Sequence, residues 1–123
     1  MVSLILVILA AVLNAVMDIL SYRYDLSVFS KYPKFYQFTV PALSWQNKWK
    51  NGDRKQGERF FGSSTFLVWT TDAWHLSKTL MLLCFSIAIV MYAPIIHPII
   101  DALGYWLIFG AVFELFWSKI FLK

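Results

Sequence analysis

Asp18, Asp72, His75 and Glu114 are the residues of this chain with the most chemistry to offer and the least reason to sit where they do. Each lies within a long apolar run. Carboxylates and imidazole are the ligand types for a hard or borderline divalent metal, which could activate water on a phosphate ester or a lipid head group. The same groups serve as general acid and base, or relay protons and line a cation path. Asp18 has Asn14 one helical turn before it, and Ala11 and Ser21 continue that stripe. His75 and Thr79 share a face with Asp72, and Ser86 lies two turns further along. Lys78 occupies the adjoining face, while Glu114 has Gly110 and Ser118 one turn either side. An ionisable residue inside a membrane-spanning helix is costly and is by default a functional candidate.

The elements that must position these groups follow from composition. The 123 residues are 59% hydrophobic and 15% charged, against about 45–50% and about 25% in soluble domains. That imbalance argues against a soluble globular fold, and disorder would need low hydrophobicity and high charge. The length suits one domain. Cys84 is the single cysteine, which excludes an intrachain disulfide or a Cys-based zinc site. The expected fold is all-α: a polytopic membrane protein forming one domain, 1–123, with three transmembrane helices and a long basic, aromatic cytoplasmic loop.

The first span is expected at about 3–21. A cleaved signal peptide would want a positive n-region, but no Lys or Arg precedes Arg23, and Asn14 and Asp18 interrupt the run. The second span is expected at about 65–93, with Ser63 and Ser64 as N-cap candidates; at that length it would measure about 43 Å. Pro94 and Pro98 break the pattern and predict a tight turn over Ala93–His97. The third span is expected at about 99–122. His75 and His97 stand at opposite ends of the second span, about 33 Å apart, so they cannot ligate one haem within the chain.

Between the first two spans lies 22–63. It holds Arg23, Lys31, Lys34, Lys48, Lys50, Arg54, Lys55 and Arg59, eight of the eleven cations, and Lys119 and Lys123 stand at the end of the third span. Cationic loops stay in the cytoplasm, so the N-terminus is expected outside and both 22–62 and the C-terminus inside. Interleaved aromatic residues suit either nucleic acid or a membrane interface. The flanking spans decide for the interface, so membrane lipids are expected partners and nucleic acid is not. Asn51-Gly52-Asp53 predicts a tight turn. Trp45 and Trp49 are spaced to share one face of a short surface helix.

With the inner boundary near Arg23, Thr65 and Lys119–Lys123, helical rise places Asp18 about 7 Å deep, Asp72 about 10 Å, His75 about 15 Å and Glu114 about 7–13 Å. Four polar groups on three helices would thus share one layer, and they are expected to meet. The alternative is a structural network in which Lys78, Arg23, Lys119 or hydroxyls cap each group.

The stretches SWQNKWKNGDRKQGERFFGSS (44–64) and TDAWHLSK (71–78) look similar to small bacterial integral-membrane proteins of unassigned function. The resemblance covers the middle third of the chain and implies no activity or catalytic residue. It implies that the loop and the start of the second span work as one unit, in a bacterial inner membrane.

Two functions fit. The first is a non-enzymatic membrane component, a homo-oligomer or a subunit beside other membrane proteins. In it Asn14, Asp18, Asp72, His75, Lys78 and Glu114 would line an ion or proton path. The second is a membrane-embedded enzyme in which Asp18, Asp72, His75 and Glu114 hold a metal or act as acid and base. Arg23, Arg59 and Lys78 would then hold a phosphate or lipid head group. No cofactor is expected beyond that candidate divalent metal. HExxH and Gly-rich phosphate-loop patterns are missing from the sequence.

Overall fold

The computed structural model describes residues 1–122. Three long helices dominate it: α1 (Val2–Tyr22), α2 (Ala73–Val90) and α3 (Pro98–Leu115), the last running on as a wider π-helical stretch over Phe116–Phe121. All three are long and apolar enough to cross a membrane. No β-strand is present among the described residues, only two isolated bridges.

α1 is the most enclosed of the three, and it packs against both others. Ala10, Ala11 and Ala15 are fully buried, and a methyl side chain allows close helix approach where lipid supplies no hydrophobic driving force between helices. Ser3 Oγ donates to the Ala88 carbonyl at 2.7 Å, so the start of α1 meets the end of α2 and the two run antiparallel. By contrast, Gly104 and Gly110 of α3 have only open space where a Cβ would stand. Packing within the chain does not use these two glycines.

α1, and α3 counted with its π-helical continuation to Phe121, start and stop within a residue of expectation. α2 does not: it begins at Ala73 rather than near Thr65. The reason is local. Asp72 is fully extended (φ −152°, ψ 160°) and its carboxylate accepts from the backbone N–H of His75, which makes it an N-cap. Upstream, the Thr70 and Thr71 hydroxyls donate to the carbonyls of Leu67 and Val68 at 2.7 and 2.6 Å, and these tight turns divert the chain from an α-helix. The 18 residues of α2 measure about 27 Å, close to the thickness of a hydrocarbon core. The depths of about 10 and 15 Å expected for Asp72 and His75 are therefore corrected: both belong to the first turn of α2.

The reversal after α2 holds as expected, and the sequence does not reveal how it closes. Asp101, buried, accepts from the Tyr92 hydroxyl (2.8 Å) and from the N–H groups of Ile95 (2.8 Å) and Ile96 (3.2 Å). His97 caps α3, its Nδ1 accepting from the Ile99 N–H at 3.2 Å, and Pro98 takes the first helical position, where its missing N–H costs nothing.

Residues 23–72 form short turns at the end of the bundle where α1 finishes and α2 begins. Ser27 bridges to Leu122, and Phe29 packs on Phe121 with ring centroids 5.5 Å apart. The basic segment and the end of the third long helix therefore share one end of the molecule. Asn51 and Gly52 both have positive φ, and the Asp53 N–H donates to the Lys50 carbonyl at 2.9 Å, as a tight reversal of this kind requires. Of the expected short helix, helical turns over Pro41–Ser44 and Trp45–Lys48 carry Trp45, but they end before Trp49. Trp49 is extended and bridges to Glu58, because the reversal at Asn51-Gly52 draws its flanks together. Glu58 then pins the return: it accepts from the Ser64 hydroxyl and from the Gly62 N–H, the latter at 2.9 Å. These bonds, the one from Ser64 foremost, hold its carboxyl below the usual glutamate range. Gly62 has φ +80°, and a Cβ there would collide with the ring of Phe66.

Candidate functional site

Asp72 and His75 meet one turn apart through two contacts. Asp72 Oδ1 accepts from the His75 backbone N–H, and Oδ2 lies 2.7 Å from His75 Nδ1. A carboxylate can only accept, so Nδ1 carries the proton. The Asp72 side chain is 5% exposed and that of His75 is 35% exposed. One carboxylate thus caps the helix and orients the ring, while Nε2 has no hydrogen-bond partner among the described residues.

The pair lines an open cleft of about 210 Å³ together with Ser21, Pro41, Ser44, Trp45, Lys48 and Trp74. Three elements position these walls. Ser21 comes from the last turn of α1, and Pro41 and Ser44 from a one-turn helix. Lys48 is fixed through its backbone, since the buried Ser63 donates its hydroxyl to the Lys48 carbonyl at 2.7 Å. Asn47 joins the loop to α2: its amide donates to the carbonyls of Thr71 and Gln37, both at 2.7 Å, while Gln37 Nε2 donates to its Oδ1. The loop is therefore hydrogen-bonded to the chain just ahead of α2. Asn47 and Ser63 escape sequence reasoning because an isolated Asn or Ser in a polar loop carries no periodic signal.

The Trp74 ring stands edge-on to His75, with centroids 5.1 Å apart, and Lys78 Nζ lies 5.3 Å from the Trp74 ring centroid. That is cation–π distance. Lys78 is thus beside the cleft without pairing to a carboxylate. Arg59 lines a different hollow, with Gln37, Asn47 and Trp49, and Arg23 follows the last turn of α1. Of the cations, Lys48 lines the cleft, and the expected Arg23, Arg59 and Lys78 are not among its lining residues.

The four-member layer is met only in part. Of the expected set, Asp72 and His75 are joined. Asp18 lies one turn deeper than Ser21 on α1, half-buried, with Asn14 a further turn in. Glu114 is exposed on α3, and among the described residues its carboxylate has no hydrogen bond or ion pair; only its backbone carbonyl is used, by Ser118 Oγ at 2.7 Å. The described residues contain no group of three or more His, Cys, Asp and Glu side chains placed to hold one metal ion, so Asp18 and Glu114 do not complete a ligand set with Asp72 and His75. The Asp72–His75 contact is the single ion-pair geometry among the described residues. Among the described residues, no lysine or arginine pairs with Asp18, Asp72 or Glu114.

Set against protein-family models, curated proteins and solved structures, the chain matches none of them.

Proposed function

We propose that this chain is a non-enzymatic, three-span component of a bacterial inner membrane, working as a homo-oligomer or as a subunit of a larger membrane complex. Its N-terminus lies outside and its basic end lies in the cytoplasm, a reading supported by the gathering of loop cations at one end of the bundle. The observation that carries the association is Glu114. It stands exposed on a helix of crossing length, 17 positions into the 24-residue run Pro98–Phe121, or about 10 Å from its inner end. A carboxylate facing acyl chains at that level is costly, and buried pairing with another chain relieves the cost. Glu114 has Gly110 and Ala111 on the preceding turn, where small residues let a second helix approach.

The ion or proton path belongs to the same reading. Ser21 opens on the Asp72–His75 cleft, and Asp18 and Asn14 continue inward from it at single-turn spacing, about 5.4 Å per turn. Protons would enter at His75 Nε2 and pass along this stripe.

Glu114→Leu tests the association. It removes the interhelical hydrogen bonds while keeping a long side chain compatible with lipid. The particle mass in mild detergent is expected to fall from a multimer to a single copy, with helix content unchanged. A wild-type particle already at one copy per micelle, or a multimer that survives Glu114→Leu intact, contradicts the role of this residue.

The open Nε2 favours a second reading: a general base held by Asp72, acting on a head-group ester beside Lys48. It expects the lipid profile of producing cells to revert to that of non-producing cells on His75→Gln. Identical profiles for the wild type, His75→Gln and an empty control remove this reading.

A further inference from the structure

α2 and α3 each present one exposed charge within the length that crosses a membrane. Lys78 is the one lysine or arginine of α2. On α3 the carboxylates are Asp101, buried and committed to the reversal, and Glu114, exposed. Among the described residues neither Lys78 nor Glu114 has an ion-pair partner. Lys78 lies against the Trp74 ring, which offers a π face and no counter-charge. An unpaired charge inside a span is costly, and here the two are of opposite sign.

They also share a depth. The stacked rings of Phe85 and Phe109, with centroids 6.0 Å apart, set the antiparallel α2 and α3 level with each other. From that level Lys78 lies seven residues toward the basic end and Glu114 five, about 10.5 Å and about 7.5 Å. Copies inserted in one orientation are related by rotation about the membrane normal, which preserves depth. Lys78 of one copy therefore comes level with Glu114 of the next to within about 3 Å, a gap that a flexible lysine stem spans.

The match extends over two further turns. Lys78, Leu82 and Ser86 follow at single-turn spacing on α2, and Trp106, Gly110 and Glu114 do so on α3; all six are exposed. Residues four apart form one ridge of a helix. Laid antiparallel with Lys78 on Glu114, the two ridges set Leu82 over Gly110 and Ser86 beside Trp106. Gly110 has open space where a Cβ would stand, which receives the Leu82 side chain. The Ser86 hydroxyl donates its proton to the Leu82 carbonyl at 2.9 Å, so its oxygen can accept from the Trp106 indole N–H.

We propose that copies of this chain join head to tail, α2 of one against α3 of the next, through a Lys78–Glu114 ion pair. The two faces differ, so the contact is heterologous and repeats around an axis to give a ring. The proposal rests on the association argued from Glu114, and it names both the occupant, a second copy, and the group that meets the carboxylate.

The test is the particle mass of the full chain in mild detergent, with helix content read alongside. Lys78→Glu and Glu114→Lys are each expected to leave a single copy, and the double variant Lys78→Glu/Glu114→Lys to restore the wild-type multimer. In a Cys84→Ser background, Leu82→Cys copies co-produced with Gly110→Cys copies should form a disulfide-linked dimer on oxidation, and neither should when produced alone. Unchanged mass for Lys78→Glu places Lys78 against lipid and overturns the proposal. A double variant left at one copy, where Glu114→Leu also lowers the mass, removes Lys78 as the partner while the association stands. Full wild-type mass for Glu114→Leu removes the association and the proposal together. Disulfide dimers from Gly110→Cys alone set α3 against α3 and overturn the head-to-tail contact. Should a charge variant lose helix content, the disulfide pattern, read with both charges in place, decides.

Discussion

Asp101→Ala is expected to lower the unfolding midpoint by roughly 10 °C, taking three hydrogen bonds at about 1 kcal/mol each for a chain of this size. One carboxylate serves three donors, the Tyr92 hydroxyl and the Ile95 and Ile96 N–H groups. Removing it strands all three at the reversal between α2 and α3. Asp101→Asn keeps an oxygen acceptor and the side-chain volume, so it should recover roughly half of the loss. Tyr92→Phe removes a single partner and should cost least. Thermal unfolding of the three variants in one detergent, followed by circular dichroism, gives the order. Equal midpoints for wild type and Asp101→Ala would show that the prolines alone hold the reversal.

Ala15→Leu is expected to be the most damaging helix substitution, costing about 1–3 kcal/mol or more from overpacking. Ala15 is fully buried on α1, and a branched four-carbon side chain there has to push a neighbouring helix away. The matched control is Ala111→Leu on α3, where the residue is exposed in the single copy and the added side chain leaves the packing within the chain untouched. Gly110→Ala serves the same purpose, since its Cβ would enter open space. If the single copy is the folded unit, α1 tolerates nothing larger at position 15 while α3 tolerates both changes. The association argued from Glu114 predicts in addition that Ala111→Leu lowers the particle mass without changing helix stability, because Ala111 then faces another chain. Equal effects of Ala15→Leu and Ala111→Leu on unfolding would contradict α1 as the enclosed helix.

The sequence reveals the gross architecture because hydropathy and helix breakers act over short distances. α1 and α3 stand out as apolar runs, Pro94 and Pro98 mark the reversal, and Asn51-Gly52 marks the turn in the loop. The start of α2 is missed because Phe66, Leu67, Val68 and Trp69 match a span by composition. What ends the helix there is hydrogen bonding by Asp72 and two threonine hydroxyls, which hydropathy does not register. Trp45 and Trp49 mislead in the same way: helical spacing is present, but the reversal after Lys50 commits Trp49 to extended pairing.

The candidate site divides along the same line. Asp72 and His75 are joined because they are three residues apart across a helix cap, a local relation that spacing can reveal. Bringing in Asp18 and Glu114 needs the rotation of α1 and α3 about their axes. Both are apolar nearly all round, so their sequences leave that rotation undetermined. Asp18 remains half-buried near the cleft side of α1, and Glu114 turns outward.

The central claim is that the basic segment and the Asp72–His75 cleft occupy the cytoplasmic end of a three-span bundle, with the Asp101-stapled reversal outside. Single cysteines at Asn51→Cys and at Ile96→Cys, each in a Cys84→Ser background, test it directly with a membrane-impermeant maleimide. Both positions lie in interhelical connections, and Ile96 is exposed. The account predicts that Asn51→Cys reacts in inside-out vesicles and not in right-side-out ones, and that Ile96→Cys does the reverse. Labelling of Asn51→Cys from the outside would invert the orientation, and labelling of both positions from one side would show that α2 does not cross.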